Sequence, residues 1–313
     1  MGSLVGHVAP GIGFLLIGIW HLFNNIKLFS LHPNTYRSLP WFPAPKLRFL
    51  ELLLIAAGSS ASIAMELFIG PSRHQPLDSD FTIPSYHLHN FEHASISLSL
   101  LIYAAFAIAL DRAATATAKQ ELTILTAAAA FGQQLLLFHL HSTDHAGVEG
   151  QYHWLLQLVI AISLITTLMG ISHPCSFVIA FVRSTSISLQ GLWFIVMGYA
   201  LWTPTLIPKG CFMNAEDGHY VVRCRSDGEL HRAKSLVNIE FCWLLSAVVA
   251  FSLLCYLFLS RKYEKESEYD SIEEEEMEDL ELGKKSKSKS KLEESDSFVH
   301  MAERVMSSIE LER

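Results

Sequence analysis

The sequence predicts an all-α fold: a polytopic membrane bundle of seven transmembrane helices, followed by a disordered, charged C-terminal tail. Three observations predict it. Half of the 313 residues are hydrophobic and only 17% are charged, with a mean hydropathy of +0.30, too apolar for an ordinary soluble domain. Charge-poor runs recur at about 20 residues, the length that crosses a bilayer core. The formal net charge of −8 is concentrated at one end, because residues 261–313 hold 10 Lys/Arg and 17 Asp/Glu against 13 and 14 over residues 1–260. The expected division is therefore a transmembrane domain over 1–260 and a tail over 261–313. An almost neutral body has no basic surface for a phosphate backbone, which argues against nucleic acid and leaves the lipid bilayer as the expected partner.

The run before Lys27 predicts a first span near 7–26. A second lies near 48–69 and must accept Glu66 close to its end, since only fourteen residues separate Glu51 from Glu66. The interval between Glu92 and Asp111 gives a third near 90–110, and 122–143 a fourth. Gly150 to Val182 carries no charge, and His173-Pro174 closes a fifth span near 153–172. Pro204 and Pro208 stop a sixth near 184–204, and Arg261-Lys262 a seventh near 238–260.

Seven spans place the termini on opposite sides. Short loops between spans one and two, three and four, and five and six, with the start of the tail, carry ten Lys/Arg, Arg183 of loop five among them; the other side carries six. Cytoplasmic loops hold the excess, so the expected orientation is N-terminus extracytoplasmic and tail cytoplasmic, in a membrane of the secretory pathway (Golgi, endosome, vacuole or plasma membrane). Span one has no Lys/Arg before it and reads as an uncleaved anchor. Cys211 and Cys224 both fall in loop six, on the oxidising side of that assignment, and are expected to form a disulfide. In the tail, Glu273 to Glu276 adjoin a lysine–serine alternation over 284–291, with almost nothing apolar to bury, so disorder is expected, with protein partners reached through it.

The fifteen histidines carry the chemistry. His87-Leu88-His89-Asn90-Phe91-Glu92-His93 and His139-Leu140-His141-Ser142-Thr143-Asp144-His145 repeat one pattern, H-L-H-x-x-(acid)-H, 52 residues apart. The first copy enters span three and the second leaves span four, so an antiparallel pair brings both to one membrane face. His7, Glu66, Glu149 and His153 arrive at the same level from spans one, two and five. On a helix His89 and His93 share a face at i and i+4, with His87 pointing elsewhere. Such a pair presents two nitrogens to one metal, and a nearby carboxylate fixes the tautomer of a ligating ring. The expected ligands are His93, His141, His153, His139, His7, Glu66, His89 and His145, with Glu92, Asp144 and Glu149 behind them. Imidazoles and carboxylates without thiolates suit Zn2+ first, then copper, iron or haem. His21, His74, His87, His173 and His219 read as interface residues, and the opposite membrane face is expected to hold little polar chemistry.

Gly6-His7-x-x-Pro10-Gly11 followed by Ile17-Gly18-Ile19-Trp20, Glu66 before Gly70-Pro71, Glu92-His93, His139-x-His141 and Glu149-x-x-x-His153 resemble the transmembrane protein 45 family over about residues 1–260. The resemblance implies a seven-helix membrane protein of the secretory pathway without a settled activity. It reinforces His7, Glu66, His93, His139, His141 and His153 over the other cluster members. The expected function is a divalent transition-metal site at the extracytoplasmic ends of helices one to five. One alternative is a zinc-dependent membrane hydrolase with Glu66 or Glu149 as general base; others are proton or cation handling, and a scaffold acting through its tail.

Overall fold

A computed structural model describes residues 4–70, 74–113, 118–140, 147–216 and 219–264. Its internal contacts divide the chain between Ser260 and Arg261, and the description below concerns the first unit. Among the described residues seven helices are long and apolar enough to cross a membrane. They are α1 (Leu4–Leu31), α2 (Leu50–Ala64, continued by a π turn over Met65–Ile69), α3 (Leu88–Arg112), α4 (Lys119–Leu140), α5 (Gly147–Ser172), α6 (Phe177–Trp202) and α7 (Asp227–Glu264). Between α6 and α7 two strands, β1 (Cys211–Glu216) and β2 (His219–Cys224), pair antiparallel, with Cys211 opposite Cys224. Those two cysteines are joined as a disulfide, and Arg223 pairs with Glu216 across the hairpin.

The helices pack in a chain of neighbours: α2 on α3, α3 on α4, α4 on α5, α5 on α6, and α6 on α1. The α1–α6 contact is the closest, because glycines let the backbones meet. A Cβ on Gly18 would strike the Ser188 backbone, and one on Gly191 the Leu15 backbone. Of the apolar stretch of α6, 61% is buried, against 11% for α7, which makes α6 the centre and α7 a peripheral helix. The core gathers Trp193, Phe194 and Met197 of α6 with Leu156 and Ile160 of α5, and Val237 of α7 closes it from outside.

The largest shifts from the sequence positions are at the starts of the sixth and seventh spans, and α1 and α5 likewise extend over Lys27 and Glu149. At these two spans, starting the helix after the last charge left the charged residues of its first turns in the loop. The sixth helix begins at Phe177, capped by the Ser176 hydroxyl on the Ile179 amide (3.4 Å), so Arg183 lies within α6 rather than in loop five. The seventh begins at Asp227, which takes Arg232 and Lys234 out of loop six and into its first turns.

Candidate functional site

The alternation of direction places the start of α1, the end of α2, the start of α3, the end of α4 and the start of α5 at one end of the bundle, here the histidine end. The connection over residues 32–49 lies at the other, the loop end.

At the histidine end the described residues fall into three local groups. In the first, Glu66 sits on the π turn, 7% exposed. Asn90 Nδ2 donates to its Oε2 (2.8 Å), and His93 Nδ1 stands 3.4 Å from Oε1. Glu66 thus points into the α2–α3 interface and does not snorkel. His89 and His93 share a face as their spacing requires, with ring centroids 6.3 Å apart. His87, expected at the interface, is buried instead, its Nδ1 3.3 Å from the Pro76 carbonyl. The second group joins α1 and α5. His7 stacks on Trp202 (4.5 Å between centroids) and lies 6.0 Å from the ring of His153. His153 Nδ1 is 3.1 Å from the Glu149 carbonyl, which leaves Nε2 as the ring's acceptor. In the third, His139 Nδ1 lies 3.3 Å from Gln157 Oε1, and Gln157 Nε2 donates to the Phe138 carbonyl (3.2 Å). Glu92 and Glu149 are half-buried beside these groups. His141, Asp144 and His145 lie outside the described residues. Among the described residues no group of three His, Cys, Asp or Glu side chains is placed to hold a metal ion. The first two groups belong to different helix interfaces, α2–α3 and α1–α5–α6, which is why nearness in depth did not become one ligand set.

The loop end is richer than its sequence suggests. His21, expected as an interface residue, is buried, and its Nε2 lies 2.7 Å from Glu51 Oε1. The other Glu51 oxygen accepts the Phe42 amide (2.9 Å). Arg183, 4% exposed, donates to Ser38 Oγ (2.8 Å) and the Leu39 carbonyl (3.3 Å). Tyr103 donates to the Pro40 carbonyl and Gln120 to that of Ser38. Residues 38–42 are thereby held by side chains from α2, α3, α4 and α6. Tyr36 donates to Asn25 Oδ1 (2.8 Å); burial pushes its phenol up to about 12, against the opposing pull of Arg183 and Ser38.

Buried polar side chains also run between the two ends. Gln190 donates to Gln134 (3.0 Å), the hydroxyls of Ser163 and Ser186 meet at 2.8 Å, and Asn25 donates to Ser184 (3.2 Å). All six are less than a tenth exposed. Sequence reasoning placed Arg183 in loop five and gave Glu51, inside the second span, no partner. Ser176 as a helix cap two residues after Pro174 was the available signal for Arg183.

Residues 120–257 match the model of a family of unknown function (DUF716). The match takes in α4 almost entirely, α5, α6, the hairpin and most of α7, and so places His139, Glu149, His153, Arg183 and Gln190 in a stretch similar to an uncharacterised family.

Proposed function

We propose that this multi-pass membrane protein conducts protons between the two ends of its bundle, along the buried polar side chains of α1, α4, α5 and α6. The observation that carries the reading is the succession Gln134–Gln190, Ser163–Ser186 and Asn25–Ser184, with imidazoles and a carboxylate at each end of the bundle. Polar and ionisable groups are costly inside a membrane and commonly functional there. Gln190 is wholly buried, and its Oε1 accepts from no donor among the described residues, the acceptor a hydrated proton needs. The test is the full chain in liposomes with a trapped pH indicator under an imposed potassium diffusion potential. Wild type should acidify the lumen faster than protein-free vesicles, and Gln190→Leu should return the rate to background with helicity unchanged. A wild type no faster than empty vesicles refutes the reading, and a rate that follows sodium or zinc replaces protons with that cation.

A second reading, the divalent-metal site, is favoured by His7 and His153, whose rings stand 6.0 Å apart. The bond of His153 Nδ1 to a carbonyl fixes the tautomer as for a metal ligand. Zn2+ fits these donors best, and elemental analysis of wild type against His153→Ala and His74→Ala tests it; the hydrolase alternative, with Glu66 or Glu149 as base, stands on the same metal. The tail scaffold rests on residues outside the described ones. For the membrane we retain the secretory pathway, N-terminus extracytoplasmic and C-terminus cytoplasmic, as the charge balance and the likeness to transmembrane protein 45 proteins suggest; protease accessibility of terminal tags in intact cells decides it.

A further inference from the structure

The loop end carries a cavity of about 190 Å3 between α3, α4 and the connection over residues 32–49. Its lining is graded along the helix axes. Arg48, Asp111 and Lys119 form a charged rim at the ends of α3 and α4, and one turn deeper the walls are Ala107 and Thr123, with Pro40 and Trp41 on the loop side. In a bilayer the helix ends stand at head-group depth and the deeper turn at the start of the hydrocarbon. The cavity therefore reads charged to apolar in the same direction as a lipid does.

Its charge can be counted. Arg48 grips Asp111 through Nε and Nη2, both at 3.1 Å, which neutralises that pair and leaves the Nη1 N–H groups outside the bridge. The guanidinium is also held 5.7 Å from the Trp41 ring and 5.8 Å from that of Phe49, so it is fixed before any ligand arrives. Lys119 is exposed and has no ion pair among the described residues. Among the lining residues this leaves one uncompensated positive charge, that of Lys119, with Arg112 outside the lining, 5.3 Å from the Phe49 ring. A single charge suits a phosphodiester monoanion better than a polyphosphate, and the apolar depth suits an occupant with acyl chains.

We infer that this cavity binds the head group of a singly charged anionic phospholipid, its phosphodiester on Lys119 and the free edge of Arg48, its glycerol side against Pro40, Trp41 and Ala107. The occupant is a lipid rather than free phosphate because half of the wall is apolar and gives a bare anion nothing to bury. The polar path inside the bundle takes no part in this binding, so either idea can fail alone.

The experiment uses the full chain in neutral detergent with mixed phosphatidylcholine and phosphatidylglycerol micelles, and counts the lipids retained by native mass spectrometry. One phosphatidylglycerol per chain should be retained in preference to phosphatidylcholine. Lys119→Gln should lower that retention about tenfold, the scale of one charge-assisted contact, and Lys119→Arg should restore it. Lys209→Gln, a charge removed from the histidine end, should change nothing. Glycerophosphoglycerol, the same head group without chains, should compete only weakly, and strong competition by it would assign the site to a soluble phosphodiester instead. Equal retention of the two lipids, or an equal loss in Lys119→Gln and Lys209→Gln, overturns the inference, since the first denies selectivity and the second reduces it to bulk charge.

Discussion

Removing His21 while keeping Glu51 should cost far more than removing both. The two side chains are 6% and 4% exposed and 2.7 Å apart, so Glu51 without His21 is a buried carboxylate that keeps the Phe42 amide as a donor and loses its imidazole partner. Breaking a buried pair from one side costs about 3–5 kcal/mol, whereas replacing both members with apolar residues of similar volume is often neutral. For a unit of this size one kcal/mol moves the midpoint by about 2–4 °C, so His21→Leu should lower Tm by roughly 6–20 °C. The double variant His21→Leu/Glu51→Met should recover most of that loss. The assay is thermal unfolding of the purified full chain in detergent, followed by intrinsic fluorescence, for wild type, both single variants and the double variant. If the double variant falls by the sum of the singles, the two residues do not act as a pair and the account of the loop end is wrong.

Two further outcomes follow from the packing and the loop. Gly18→Ala and Gly191→Ala should each destabilise by about 1–3 kcal/mol through overpacking against backbone, while Gly13→Ala, with nothing near its would-be Cβ, should be neutral or gain up to about 1 kcal/mol from helix propensity; equal effects at all three, read by chemical denaturation, would deny the close α1–α6 contact. Burial holds the folded Tyr36 phenol up to about 12, so the neutral form belongs to the folded state. Its contribution is fully present below the unfolded value near pH 10 and lost as pH rises towards 12, and Tyr36→Phe should remove about one phenol's amplitude from the part of a 295 nm titration around pH 12.

The helices were legible because a bilayer fixes span length, and because prolines and charges punctuate the loops. The pairing of His89 with His93 was legible for a similar reason, since helical periodicity alone fixes it. Which helix faces which was not. Glu66 could be seen to arrive at the depth of the histidines, but its partners Asn90 and His93 depend on the π turn at Met65–Ile69 and on α2 packing against α3, and periodicity carries neither. Arg183 was hidden by the premise that charge ends a span, and Glu51 by the lack of anything in the sequence that pairs it with His21. That premise holds for isolated charges and fails where a charge finds its partner across 30 residues, as Glu51 does with His21, or 145, as Arg183 does with Ser38.

The close contact between α1 and α6 also sets a timetable. Gly18 and Ser188 are separated by 170 residues, and ribosomes add about 5–20 residues per second, so the first helix waits roughly 10–30 s for its main partner to be made. During that wait its near neighbours already offer Glu51 and Phe42 to His21, and Tyr36 to Asn25 and Phe29. The first two helices and the segment joining them can therefore assemble early as one local unit, with the glycine-lined face of α1 turned to lipid or to the insertion machinery until α6 arrives. Substitutions at Gly18 or Gly191 would act on that last docking step, and so would appear in cells as slow maturation and early degradation of newly made chains before any loss of activity in those already assembled.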